Sequence, residues 1–322
     1  MAPMRNGGDN DVIDHSTTLV LGPVYYLWDA DRWRDFYFRI ADEAPVDTVI
    51  IGETVCSKRL HITEPAFADV VDRLEAAGKS VRLSTLALIT LDRESQYQRD
   101  LIRDGGHVIE ANDLSALNLL KGRNHAVGPL VNVYNGPAAR FLAKNGASTI
   151  CLPPELPGRS VKVITTDCPE LAFELFAFGR LPLAVSARCA HARAKGRIKD
   201  NCQFVCGEEP DGLTVKTMSN QPFLALNGVQ TVSYTCQALL QTDADIKALG
   251  VSALRLSPQV CDMVEVAGIF LDLTKDKIDP DEAALRLRTA YPAVPLSNGF
   301  HHGHAGAEWV ARSRNATMGG PQ

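Results

Sequence analysis

The feature that most constrains this chain is a rhythm: short, almost unbroken apolar runs recur between longer amphipathic stretches. Thr18–Val24, Val46–Gly52 and Val81–Ala87 read as the first three strands. Trp33–Ala41, Ala66–Ala77 and Ser95–Asp104 read as the helices that follow them. Gly78 and Gly105 close the second and third helices, because glycine tolerates the left-handed conformation in which helices often end. The alternation continues through His107–Glu110, Leu130–Tyr134, Thr149–Leu152, Phe173–Phe178 and Ala253–Leu256. Runs that are continuous rather than alternating predict strands covered on both faces. About eight strand–helix units in 322 residues predict an α/β fold, a closed TIM-barrel-like (β/α) barrel rather than an open doubly wound sheet.

Two regions break the rhythm. Residues 186–219 are charged, punctuated by Gly and Pro, and rich in Cys, as expected of an insertion loop. A β-hairpin is predicted just after it, since Asn227-Gly228 lies between the apolar runs Phe223–Leu226 and Val229–Val232. The second break is the end of the chain, where 301–322 has no period and reads as a flexible tail. His301, His302 and His304 fall there with no acidic partner at ligand spacing, and read as tail histidines rather than a second metal site. Residues 1–16 read as a disordered polar leader, leaving 17–300 as one barrel-like domain.

Charge and hydropathy exclude other classes. A net charge of −5 and a pI near 5.9 leave no global basic field for nucleic acid. No run of about 18 apolar residues is present to span a bilayer. The first sixteen residues lack the apolar core of a signal peptide, which points to the cytoplasm. In that reducing compartment, eight cysteines are not expected to form structural disulfides.

Three of those cysteines cluster. Cys189 is followed after twelve residues by Cys202, and Cys206 comes four positions later; Cys56 lies far upstream in Gly52-Glu53-Thr54-Val55-Cys56-Ser57-Lys58-Arg59. In a barrel, the loop after the second strand and the loop after the seventh both open on the C-terminal face, where different strands contribute to one site. Four thiolates there suit an iron–sulfur cluster or a zinc ion, and spacing alone also admits unrelated buried thiols. Structural zinc sites draw paired ligands from a compact segment, whereas a lone upstream Cys with a long loop suits an open cluster site better.

Several motifs carry a resemblance over about residues 18–300. They are Leu21-Gly22-Pro23-Val24-Tyr25-Tyr26, the Gly52–Arg59 segment, Leu83–Leu88, Glu110-Ala111-Asn112-Asp113-Leu114, Leu181–Cys189, Leu226–Thr231 and Arg255-Leu256-Ser257-Pro258-Gln259. With the four-Cys pattern, they resemble the UbiV-like proteins of the collagenase-like peptidase family. The resemblance implies a 4Fe-4S cluster held by Cys56, Cys189, Cys202 and Cys206, and a structural role for Cys151, Cys168, Cys236 and Cys261. It also implies a heterodimer with a UbiU-like protein, acting with a UbiT-like lipid carrier. The implied activity is O2-independent hydroxylation of the aromatic ring of a ubiquinone precursor, with prephenate as the oxygen donor. A family member hydroxylating RNA bases, and a non-catalytic cluster-bearing scaffold, are the alternatives.

Glu53, Ser57 and Arg188 flank the ligand positions and are candidates for anchoring the cluster loops or substrate. Glu110, Asn112, Asn132 and Tyr134 sit at predicted strand ends, where barrel enzymes place binding groups. Arg188–Lys199 carries five fixed positive charges, which suits either an anionic donor or a solvated loop. The sequence has no His-Glu-x-x-His, no Walker loop and no Gly-x-Ser-x-Gly elbow, so proteolysis is not expected.

Overall fold

The computed structural model describes residues 17–104 and 106–311. The leader 1–16, the helix stop at Gly105 and tail residues 312–322 lie outside the described residues. Seven strands run in chain order: β1 (Thr18–Leu21), β2 (Thr48–Ile51), β3 (Ser80–Ser84), β4 (Val108–Ala111), β5 (His125–Val127), β6 (Ala147–Leu152) and β7 (Ala172–Val185). Three antiparallel strands follow, β8 (Leu213–Lys216), β9 (Pro222–Asn227) and β10 (Gln230–Ala238), before β11 (Ala253–Leu256) and the short β12 (Leu296–Ser297). β11 pairs in parallel with both β1 and β7, Leu254 standing opposite Leu19 and Leu175, and this closes β1–β7 and β11 into an eight-stranded barrel. Helices between successive strands cover it, giving a TIM-barrel-like α/β fold.

The first helix, Ala30–Glu43, shows how the outer layer forms. The Asp29 carboxylate accepts the Arg32 N–H at 2.9 Å and caps the helix start. Trp33, Tyr37, Ile40 and Ala41 then fall on one face at helical spacing and are buried. They join a core with Leu19, Leu21, Val49, Ile51, Leu254 and Leu256, the outward-facing residues of the strands. Each such side chain contributes roughly 1.5–3 kcal/mol by burial.

The inward face differs from expectation. Val20, Ile50 and Ala253 form a small apolar plug, but the neighbouring inward positions are Arg82, Glu110, Glu174 and Arg255. The strands are covered on both faces, yet Leu254-Arg255-Leu256-Ser257 and Val81-Arg82-Leu83-Ser84 do alternate, because the barrel interior is an ion-pair network rather than an oily core. Leu130–Tyr134 is also corrected. It is not a strand but a 3₁₀ turn at Pro129–Val131, followed by Asn132 in the left-handed region at φ 61°. The barrel strand is the preceding His125–Val127, three residues too short to register as an apolar run.

β7 is fourteen residues long and outruns the barrel. Up to Phe178 it pairs with β11; from Phe178 onward it pairs antiparallel with β10 and carries β8–β10 as an extension over the rim. Gly179, at φ 124°, stands where the strand changes partners, and a Cβ there would lie 2.8 Å from Ser257 Cβ and 2.9 Å from Gln259 Nε2. The predicted hairpin is β9–β10, with Asn227 opposite Gln230. The described part of the chain end, 301–311, folds back: Val310 N–H donates to Asn298 Oδ1 at 2.7 Å, and Trp309 packs on the core.

Candidate metal centre

Cys56 follows β2, Cys189 caps the start of the short helix Ala190–Ala194 beyond β7, Cys202 ends the 3₁₀ turn Lys199–Asn201, and Cys206 lies in the next, Val205–Gly207. All four line one cavity of about 20 Å³ with Arg59, Phe204, Val205 and Gly228. That is room for about one water. Tyr25, Val55, Ala192, Val205 and Val229 form an apolar shell around Cys189, with Cys56 and Cys202 packed against it. Burial pushes the Cys56 and Cys189 thiols up, and the Ala192 N–H, 3.3 Å from Cys189 Sγ, pulls the latter partly back. Among the described residues, no three His, Cys, Asp or Glu side chains form a group able to hold a single metal ion.

Glu53 clamps the Cys56 loop: its Oε1 accepts the Val55 N–H at 2.7 Å and the Cys56 N–H at 2.9 Å. Burial nevertheless lifts its carboxyl above the usual range, outweighing those bonds and the nearby Arg59. Ser57 turns away, donating to Glu94 Oε1 at 2.5 Å, and so ties the loop to the helix Asp92–Asp104. Arg188 is exposed, with its N–H on Ser186 Oγ at 3.2 Å. Glu110 and Asn112 belong to the barrel interior, where Asn112 Nδ2 donates to Ser84 Oγ at 3.0 Å. Asn132 and Tyr134 are both exposed, and the Tyr134 hydroxyl meets Glu155 instead of the cysteine cavity.

The residue that sequence reasoning passed over is Arg59, although it ends the Gly52–Arg59 segment. It is 1% exposed, donating from Nη1 to the Tyr25 carbonyl at 2.7 Å and from Nη2 to Asn227 Oδ1 at 3.0 Å, while its Nε is buried without a partner. Burial works against its charge; Glu53, Cys206 and Cys56 outweigh that and keep it protonated. A buried guanidinium with no directly paired carboxylate, beside four thiols, calls for an anionic occupant. In donor chemistry and charge, the residues therefore fit a thiolate-bound cluster. Gly228 makes room for Arg59: its φ is 63° and an added Cβ would lie 2.5 Å from Arg59 Nη2. Gly228→Ala is expected to displace Arg59 and cost about 1–3 kcal/mol, measured as a shift in the urea midpoint.

His191, fully buried, was equally unmarked. Its Nε2 stands 3.0 Å from Glu209 Oε2 and its Nδ1 3.1 Å from the Leu226 carbonyl, joining the Cys189 helix to the hairpin. The remaining thiols lie elsewhere: Cys168 Sγ is on the Gly136 carbonyl, Cys236 Sγ on Gln237, Cys261 Sγ beside Met263, and Cys151 is buried on β6. His301 and His302 stack edge to face at 5.3 Å in the turn Gly299–His302, and burial pushes the His301 imidazole down to about 4. His304 Nδ1 lies 3.4 Å from Glu308 Oε2, the acidic neighbour that the sequence reading passed over.

A larger cavity of about 790 Å³ opens beside Cys189. Lys58, Arg93, Arg188, Arg193, Arg197 and Lys199 line it, against the single acid Asp200. The positive charges of the insertion thus converge on one face despite a net charge of −5.

Residues 35–310 match the sequence model described as Peptidase family U32, and the chain belongs to that family. Among solved structures, it is similar to a cube-shaped, porous protein cage designed by fusing symmetric oligomeric domains, at 10% identity and TM-score 0.43, covering 85% of this chain and 78% of that one. It is also similar to N-acetylneuraminate lyase from Mycoplasma synoviae, at 9% identity and TM-score 0.43, covering 87% and 81%. No helix among the described residues is long and apolar enough to cross a membrane.

Proposed function

We propose that this chain is a UbiV-like member of its family, which holds a 4Fe-4S cluster through Cys56, Cys189, Cys202 and Cys206 and serves the O2-independent hydroxylation of an aromatic ring in ubiquinone biosynthesis. The observation that carries the proposal is the meeting of those four cysteines, Cys56 lying 133 residues or more before the other three, around one cavity beside the buried guanidinium of Arg59, whose Nε has no hydrogen-bond partner. When bound, the cluster supplies one-electron chemistry without oxygen. The chain's own residues do the rest: Glu53 fixes the Cys56 loop, Arg59 offsets the negative charge of the sulfurs, and the apolar shell limits water.

The basic cavity suits a small polycarboxylate, which supports prephenate as the oxygen donor. The working unit in this proposal is a heterodimer with a UbiU-like protein, supplied by a UbiT-like lipid carrier, in the cytoplasm. Peptide hydrolysis forms no part of it, since the sequence lacks the catalytic motifs named above.

Deleting the gene and measuring ubiquinone after growth with and without oxygen tests this function. Loss confined to anoxic growth is the expected result; unchanged ubiquinone with altered RNA modification would overturn it. Arg188→Ala is expected to lower that anoxic activity several-fold with iron content unchanged, because Arg188 lines the basic cavity and not the cysteine cavity. Equal loss of iron and activity would make Arg188 a structural residue.

A further inference from the structure

Residues 193–204 of the insertion form a strap with no buried side chain, although Cys202 belongs to it. His191 and Ala192 are buried at one end of the strap, and Val205 and Cys206 at the other. Within it, Gln203 and Phe204 both take the left-handed region, at φ 48° and 54°, which crowds a Cβ. A segment with so little apolar burial and a strained backbone opens at low cost unless specific contacts tie it down. Lys58, in the turn Ser57–Arg59 that follows Cys56, supplies one: its Nζ donates to the Lys199 carbonyl at 2.6 Å. The Lys58 side chain is 19% exposed, so the bond is largely shielded from water, whereas the neighbouring Asp200 is exposed with its Oδ1 4.0 Å away. Three residues on, His61 meets the Phe204 ring edge-on, with centroids 5.3 Å apart. Lys199 opens the turn Lys199–Asn201 that ends at Cys202, and Lys58 and Lys199 both line the cysteine cavity. The bond thus joins the side of the site that carries Cys56 to the side that carries Cys202.

We propose that Lys58 is a positioning residue for the metal centre: its ammonium clasps the strap at the Lys199 carbonyl and holds Cys202 at the cavity that Cys56 lines. Lysine suits this place because its three donors rotate freely and need no planar carboxylate to match them. The assignment deepens the function proposed above and rests on it for the metal, though not for the clasp itself.

Hydrogen exchange of the full chain, purified without oxygen, tests the clasp, with iron counted on the same samples. The Asn201, Val205 and Gly207 N–H groups, which donate to the Ile198, Cys202 and Phe204 carbonyls, report opening of the strap. In Lys58→Met, which keeps the apolar stem and loses the donors, these amides should exchange about tenfold faster. Amides of β11 and the melting temperature should stay unchanged. Lys58→Arg should restore protection to within about twofold, since a guanidinium also donates to a carbonyl. Asp200→Asn, which leaves the carbonyl bond in place, should change exchange by less than about twofold. EDTA should draw iron from Lys58→Met several-fold faster than from the natural chain, starting from equal iron contents. Unchanged exchange in Lys58→Met, faster exchange spread over the barrel, or equal acceleration in Asp200→Asn would overturn the assignment. Iron without a clasp effect overturns only this inference; a clasp effect in a chain without iron overturns only the function proposed above.

Discussion

Cys206→Ala, purified without oxygen, is expected to hold less than about one iron per chain, against the about four iron and four sulfide expected of the natural chain. Cys206 is buried and shares its cavity with Cys56, Cys189, Cys202 and Arg59. Removing its sulfur takes away one of the four proposed ligands and also one of the groups that keep Arg59 protonated. The same loss is expected for Cys56→Ala, Cys189→Ala and Cys202→Ala. Cys151→Ala and Cys236→Ala provide the contrast: both thiols lie outside the cavity, so iron should be unchanged and only packing energy lost. Iron and sulfide assays with an absorption spectrum check each variant. Full iron retained in any one of the four would remove that residue from the ligand set.

Glu174→Gln is expected to cost the fold about 3–5 kcal/mol, the largest loss foreseen for a change outside the cysteine site. Glu174 is 1% exposed and compensates two guanidiniums. Arg255 donates to its Oε2 from Nε at 3.0 Å and from Nη2 at 2.5 Å, and Arg82 Nη1 donates to its Oε1 at 2.5 Å. Arg255 Nη2 also reaches Glu110 Oε2 at 2.6 Å. Glutamine keeps the shape but removes the charge, leaving two cations with one carboxylate between them. Burial alone would raise the Glu174 carboxyl; Arg255 and Arg82 outweigh it and hold it below the ordinary value of 4.5. A carboxyl lowered in the folded state contributes stability that is fully present above its unfolded pKa and is lost as pH falls through its folded one. The natural chain should therefore lose stability as pH drops below about 4.5, and Glu174→Gln should show a smaller drop over the same window. Urea unfolding at pH 7 and at steps from pH 5 to pH 3 measures both. An unchanged midpoint at pH 7 would mean that the network adds nothing net to the barrel.

The barrel was legible because its outer face is continuously apolar: runs such as Leu19–Leu21 and Thr48–Ile51 can only be strands pressed beneath helices. The interior was not, since Arg82, Glu110, Glu174 and Arg255 come from four separate strands and share no sequence spacing. A charged residue inside an apolar run is the one local sign of such a network. β5 escaped notice because three residues next to Gly128 and Pro129 carry too little periodicity. The candidate ligands were readable as a Cys pattern, and the fold brings them to a common cavity. Arg59 and His191 were hidden because their roles depend on tertiary partners, the Tyr25 carbonyl, Asn227 and Glu209, supplied by distant segments. The convergence of Lys58 and Arg93 with the insertion's cations was equally unreadable, since it joins segments about 100 residues apart in a chain of net charge −5.

The most direct measurement is anomalous diffraction at the iron and zinc absorption edges from crystals of the full chain grown without oxygen. A compact iron signal bounded by the sulfurs of Cys56, Cys189, Cys202 and Cys206, adjoining Arg59, is the expected result. A zinc signal at that place, or a structure with Cys56 turned away from the other three, would contradict it.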